Sequence, residues 1–257
     1  MPIIQGNYRQ VREISEECVD ALVRANDPAK LFVRSGVVAR VRPDEKGRPI
    51  IDNINESMLA GRLTRIADFI KVSKKGGTWP CPPPQEVVKD ILAIGQWPFP
   101  PLAGVVEVPT LRPDGSILAT PGYDLATGLF YVAEPSLTVP PIPEYPSPND
   151  VQKAVAIVYD VLFDFPFVDQ ASRANAWAVL LTTMIRHAIP GRVPLCLCDA
   201  PKAGTGKGLL AGVVSIIATG RLAAMFSAPD DDDEWRKQLT SALLAGATMI
   251  IIDNLEG

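Results

Sequence analysis

The residues Asp199-Ala200-Pro201-Lys202-Ala203-Gly204-Thr205-Gly206-Lys207-Gly208 carry the clearest chemical signal in the chain. Glycines at 204, 206 and 208 let a backbone curl until successive N–H groups face one anion. A helix beginning near Lys207 adds the positive end of its dipole, and the ammonium of Lys207 adds a mobile point charge for β- and γ-phosphate oxygens. Pro201, Ala203, Gly204, Thr205, Gly206, Lys207 and Gly208 are therefore the candidate phosphate-binding residues. Two of them depart from the G-x-x-x-x-G-K-[ST] pattern. Pro201 holds the first glycine's place, and Gly208 replaces the hydroxyl that reaches Mg²⁺.

A second candidate lies downstream. Ala247-Thr248-Met249-Ile250-Ile251-Ile252-Asp253-Asn254 is an apolar run ending in a carboxylate. A parallel strand beside the strand that feeds the loop brings Asp253 to a phosphate-bound Mg²⁺, directly or through water. Asn254 stands where a glutamate often polarises an attacking water, so hydrolysis is less well provided for than binding. Lys207, Asp253 and Asn254 are the candidate catalytic residues, Asp253 the candidate metal ligand, and ATP with Mg²⁺ the expected cofactors.

The elements needed to position these groups can be traced backwards. The run Pro194 to Cys198 reads as a buried strand. A helix is expected over Lys207–Thr219, a short strand at Ala223–Phe226, a helix at Asp231–Ala245 and a strand at Thr248–Ile252. Alternating strand and helix predicts a parallel sheet with crossover helices. Two helices lead in. Ser147 is an N-cap with Pro148 at the first helical position, and Val151, Ala154, Val155, Val158, Val161 and Leu162 form one stripe. In the second, Ala174, Trp177, Ala178, Leu181, Met184, Ile185 and Ala188 share a face. The fold class expected is an α/β P-loop NTPase with a helical lead-in.

Prolines cluster from Pro135 to Pro148, which predicts an extended connector between an N-terminal domain over 1–134 and the ATPase portion over 149–257. The first part reads as mixed α+β. Helices are expected at Glu16–Arg24, Asn55–Ile70 and Gln85–Ile94. Strands are expected at Leu31–Arg34, Val37–Arg42, Val105–Val108, Ser116–Ala119 and Leu129–Val132.

Bulk properties narrow the class. The 257 residues are 47% hydrophobic and 21% charged, with net charge −4, which suits a folded chain and argues against a generally basic nucleic-acid coat. Cys18, Cys81, Cys196 and Cys198 form no disulfide framework, and His187 has no partner at metal-ligand spacing. Free cysteines, no signal peptide and no span-length apolar run point to the cytoplasm, away from membranes.

The Lys207 loop, the compact distance to Asp253-Asn254 and the two lead-in helices together resemble superfamily 3 helicases, and more closely the primase-helicase ATPases of phages and mobile elements, relatives of the poxvirus type. The likeness takes in Asp114-Gly115-Ser116, Gly122-Tyr123-Asp124-Leu125-Ala126-Thr127-Gly128 and Asp232-Asp233-Glu234-Trp235-Arg236-Lys237. It implies an AAA+-like parallel sheet, incomplete in this chain, and an ATP-driven activity on single-stranded or forked DNA during replication, in a homo-oligomeric ring. In that family a polar sensor and an arginine finger follow the second motif, so the chain is expected to be truncated after Asp253. The alternative is an ATP-binding module that does not hydrolyse. A small-molecule P-loop kinase fits less well, since such enzymes carry the loop near the N-terminus.

Other features have plainer readings. Asp230 to Glu234 serves a helix start better than a metal. Arg62, Arg65, Lys71, Lys74 and Lys75, with Trp79 nearby, suit either a DNA backbone or a solvated helix face.

Overall fold

The computed structural model describes residues 1–134, 136–202 and 204–253. The chain divides into two compact units, residues 1–105 with 128–130, and 106–127 with 131–257.

The first unit runs β1 (Ile3–Gln5), α1 (Val11–Arg24), β2 (Phe32–Arg34), β3 (Val37–Pro43), β4 (Pro49–Asn53), α2 (Glu56–Leu63), β5 (Asp68–Val72), β6 (Thr78–Pro80), α3 (Gln85–Ala93) and the start of β7 (Gly104–Val106). On α1 the buried residues Ile14, Cys18, Ala21 and Leu22 recur at helical spacing and form one stripe. That stripe meets Leu59 and Leu63 of α2, Val87, Val88 and Ile91 of α3, and Ile4 and Phe69 of the sheet in one core. The start of α1 is tied back by Arg9, whose guanidinium donates to both carboxylate oxygens of Glu17, in the second turn, at 2.9 and 2.8 Å. This anchor lies upstream of the expected start at Glu16, and the helix begins at Val11 accordingly.

Two small sheets flank the helices. One is the antiparallel meander β2-β3-β4, and the other has the order β1-β5-β6, with β1 parallel and β6 antiparallel to β5. The expected helix over Asn55–Ile70 is corrected here. It stops at Leu63, and Asp68–Val72 is a strand. Leu59, Leu63, Ile66 and Ile70 have helical spacing, but Phe69 set opposite Ile4 buries both side chains against the core, and that pairing prevails. The parallel pairing is extended by a side chain. Asn7 donates from Nδ2 to the Val72 carbonyl and accepts the Val72 N–H at Oδ1, both at 2.9 Å.

The last part of the first unit arrives late in the chain. Gly128, at φ +70°, accepts the Ala103 N–H at 2.8 Å. Leu129 is buried, and the ring of Phe130 packs edge-on to Phe32 at 5.8 Å.

The second unit starts with short strands, β8 (Thr110–Leu111), β9 (Ile117–Leu118), β10 (Gly122–Asp124) and the end of β11 (Leu129–Tyr131). Arg112 makes a forked pair with Asp124 at 2.9 and 3.1 Å, and Thr127 donates its hydroxyl to the same carboxylate at 2.6 Å. The residues from 136 to 147 form no helix or strand and are exposed. Pro135 lies outside the described residues.

Helices α4 (Pro148–Val161) and α5 (Gln170–Met184) and a 3-10 turn (Arg186–Ala188) follow. Then come α6 (Lys207–Thr219), β12 (Met225–Ser227), α7 (Asp232–Leu244) and β13 (Ile251–Asp253). Ser147 caps α4 in a reciprocal box with Asp150, as its spacing predicts. Asp231 caps α7 by accepting the N–H groups of Asp233 and Glu234, so this acidic run serves a helix start. The core of the unit joins Leu162, Ala176, Leu180 and Val214, with Val158, Trp177, Leu210, Val213, Ile217 and Met249 against it.

The buried faces match those expected in part, through Val158, Leu162 and Trp177. On α5 the buried residues are Ala176 and Leu180, while Leu181 and Met184 are exposed. On α4 Val151 and Val155 are exposed, and Val158 with Leu162 makes the contact. On α5 apolar residues surround the helix, so period alone does not select a face, whereas α4 keeps its expected stripe and packs only the Val158 and Leu162 end of it. Among the described residues no helix is long and apolar enough to cross a membrane.

Candidate functional site

The loop candidates converge on the start of α6, whose first residue is Lys207. Gly204 and Gly206 have φ +77° and +94°, the left-handed region where a side chain is strained. These two turns reverse the backbone so that the chain enters the helix directly from Gly206. Thr205 donates its hydroxyl to the Lys202 carbonyl at 3.1 Å, tying the loop across its base. Ala203, also a candidate, lies outside the described residues.

The end of α6 differs electrostatically from its neighbours in the unit. Side chains of Ser147, Asp169 and Asp231 cap α4, α5 and α7. Gly206 provides no side chain to cap α6, and its carbonyl starts the helical ladder by accepting the Leu210 N–H at 2.9 Å. The opening N–H groups of the helix thus have no carboxylate or hydroxyl cap, which is the arrangement that favours an anion. Lys207 is exposed and forms no ion pair among those found in the described residues. A Cβ built at Gly204 or Gly208 meets nothing within 4 Å, so the loop is uncrowded at these two positions.

One neighbour was not foreseen. A Cβ on Gly206 would stand 3.9 Å from Cε1 of Phe165, so this ring backs the loop. Phe165 also stacks obliquely on Phe167, with ring centroids 6.1 Å apart. The alternating run Phe163-Asp164-Phe165-Pro166-Phe167 before α5 was the sequence signal for it.

The strand expected at Pro194–Cys198 is absent. These residues form no ladder, and Leu195 and Leu197 are 86% and 73% exposed. Cys196 and Cys198 are exposed too, with sulfurs 4.0 Å apart. An apolar run becomes a strand only through a partner's N–H and C=O groups. Strands β12 and β13 pair in parallel with each other, Ser227 opposite Asp253. The expected placement of Asp253 beside the strand feeding the loop is corrected with it, since the neighbour of β13 is β12.

Asp253 is nevertheless exposed at the end of β13, and its carbonyl accepts the Ala228 N–H at 3.1 Å. The segment leading into it is held toward α6 by Met249, which packs on the Leu162, Leu180 and Val214 core. Asn254 lies outside the described residues.

A divalent cation here would have few protein donors. No group of three or more His, Cys, Asp or Glu side chains gathers among the described residues, and Gly208 has no hydroxyl. One carboxylate, phosphate oxygens and water form a donor set that Mg²⁺ commonly accepts. The residues therefore fit Mg²⁺ delivered with a nucleotide, and fit a free-standing metal centre poorly. In comparisons with known proteins, no family model, no curated protein and no solved structure matches the chain.

Proposed function

We propose that this chain binds the triphosphate of ATP, with Mg²⁺, at the turn Pro201 to Gly208. The observation that carries the reading is the uncapped start of α6, where Lys207 follows two left-handed glycines. The N–H groups of that first turn receive phosphate oxygens, Lys207 supplies the positive charge, and Asp253 holds the metal through water or directly. The resemblance of these motifs to phage and mobile-element primase-helicases extends the proposal to ATP-driven work on DNA, in a protein that assembles as a ring.

A second reading is an ATP-binding module without turnover. It is favoured by Gly208, which offers the metal no hydroxyl, and by the absence of a carboxylate cluster among the described residues. Titration with a fluorescent ATP analogue and Mg²⁺ tests the shared part. Replacing Lys207 by Ala removes a charged hydrogen bond worth about 1.5–3 kcal/mol, a loss of roughly 10- to 150-fold in affinity. Equal affinity in the two proteins, or no binding by either, ends the proposal. Phosphate release with and without single-stranded DNA separates the two readings.

A further inference from the structure

The strongest unassigned feature lies in the first unit, on the hairpin made by β5 and β6. Lys71 and Trp79 are cross-strand partners in its register, so their side chains project from the same face. The connecting turn, Ser73-Lys74-Lys75-Gly76-Gly77, places two more ammonium groups at the tip. It is a rigid tip. Ser73 donates its N–H to the Gly77 carbonyl at 2.8 Å, Gly76 donates to the Ser73 carbonyl at 3.0 Å, and the Gly77 N–H reaches Ser73 Oγ at 3.0 Å.

Beside this hairpin stands Tyr8. The double hydrogen bond from Asn7 to Val72 fixes the residue before it against the strand, where the tip begins. Tyr8 itself has φ +57°, a left-handed conformation that a tyrosine adopts only under constraint. Its ring is left in solvent, 69% exposed, and Trp79 is 47% exposed. Two aromatic rings and three lysines thus occupy one hairpin and the strand end next to it.

Charge is left over as well. Among the described residues Lys71, Lys74 and Lys75 form no salt bridge, while the carboxylates of Glu13 and Glu17 on α1 are both engaged by Arg9, the residue after Tyr8. Asp68, at the opposite end of β5, points to the other face by strand alternation. Apolar rings kept in water beside unneutralised lysines match a ligand with π-faces and regular negative charge.

We propose that the β5–β6 hairpin binds a single-stranded polynucleotide, with Trp79 and Tyr8 stacking on bases and Lys71, Lys74 and Lys75 meeting the phosphates. The site lies in the first unit and does not depend on the reading of the phosphate loop. Three phosphate contacts give a salt slope near −2, so affinity drops about 20-fold between 50 and 200 mM salt.

The test is fluorescence anisotropy of a labelled oligothymidylate with the whole chain. A ribo-oligouridylate and a duplex of equal length run in parallel. Trp79→Ala should weaken binding about 5- to 150-fold, and Trp79→Phe should restore most of it. Lys74→Ala combined with Lys75→Ala should flatten the salt slope to about −0.7. Lys207→Ala should leave oligonucleotide binding unchanged, so failure here and failure at the phosphate loop are told apart. Comparable affinity for the DNA and RNA strands supports the proposal, because stacking and charge do not read the 2′-hydroxyl. Equal affinity for duplex, variants that bind like the parent, or binding to anionic phosphatidylserine vesicles with none to oligonucleotides, overturns it.

Discussion

Replacing Gly206 by Ala puts a number on the phosphate loop. Gly206 sits at φ +94° and ψ 8°, and an L-residue held there is destabilised by about 1–2 kcal/mol. Contact adds little, since the new Cβ would meet Phe165 at 3.9 Å, an ordinary van der Waals distance. The strain has two outlets. If the loop keeps its shape, the second unit loses that energy from folding, and its melting temperature falls by about 2–8 °C. If the loop relaxes instead, the opening N–H groups of α6 turn away, and affinity for the fluorescent nucleotide falls about 5- to 30-fold with the melt unchanged. Calorimetry and nucleotide titration on one sample read both. Gly208→Ala is the control, because its Cβ meets nothing within 4 Å and its φ is not left-handed. That substitution should hold or raise stability by up to about 1 kcal/mol. Parental melting and parental affinity in Gly206→Ala together would show that the left-handed turn has no part in the site.

Two further outcomes are expected. Cys18 is fully buried on α1, and burial pushes its thiol up to about 12, whereas Cys196 and Cys198 are exposed. A thiol reagent at pH 8 should therefore modify the latter pair in the native protein and reach Cys18 only after denaturation, as peptide mass mapping would read. Early modification of Cys18 would contradict the packing of α1. The Asp124 carboxyl is held below its usual range by the Arg112 guanidinium and by Thr127. Its folded value is depressed, so its contribution is present above about pH 4, the unfolded value, and is lost as pH falls through the folded one. Melts of the parent and Asp124→Asn should differ at pH 6 and converge toward pH 3. A gap that widens on acidification would reverse the sign and refute the pairing.

The sequence was most informative where a local rule decides the structure. Ser147-Pro148 and Asp231 could be read as helix starts because a cap needs only its own turn. Gly206-Lys207 could be placed at the head of α6 for the same reason, by two glycines before an apolar helix. It was least informative where the answer depends on a distant partner. Phe69 and Ile70 continue a helical spacing, yet Ile4, far away in the chain, makes them a strand. Pro194 to Cys198 has the composition of a buried strand but finds no ladder. On α5 the apolar residues surround the helix, so Leu180 rather than Leu181 could not be selected by period. Phe165 beside Gly206 and Tyr8 beside Val72 are likewise products of packing, which one-dimensional spacing does not encode.

Interleaving of the two units sets a timetable for synthesis. The first unit borrows Gly128, Leu129 and Phe130 after the chain has spent residues 106–127 on the second. A ribosome adding about 5–20 residues per second takes roughly 1–4 s over that excursion. For that interval the nascent first unit has its helices and meander but lacks Leu129 in its pocket and Phe130 against Phe32. A stalled chain released before Gly128 would carry that gap permanently, and one released just beyond Phe130 would have every residue the first unit uses.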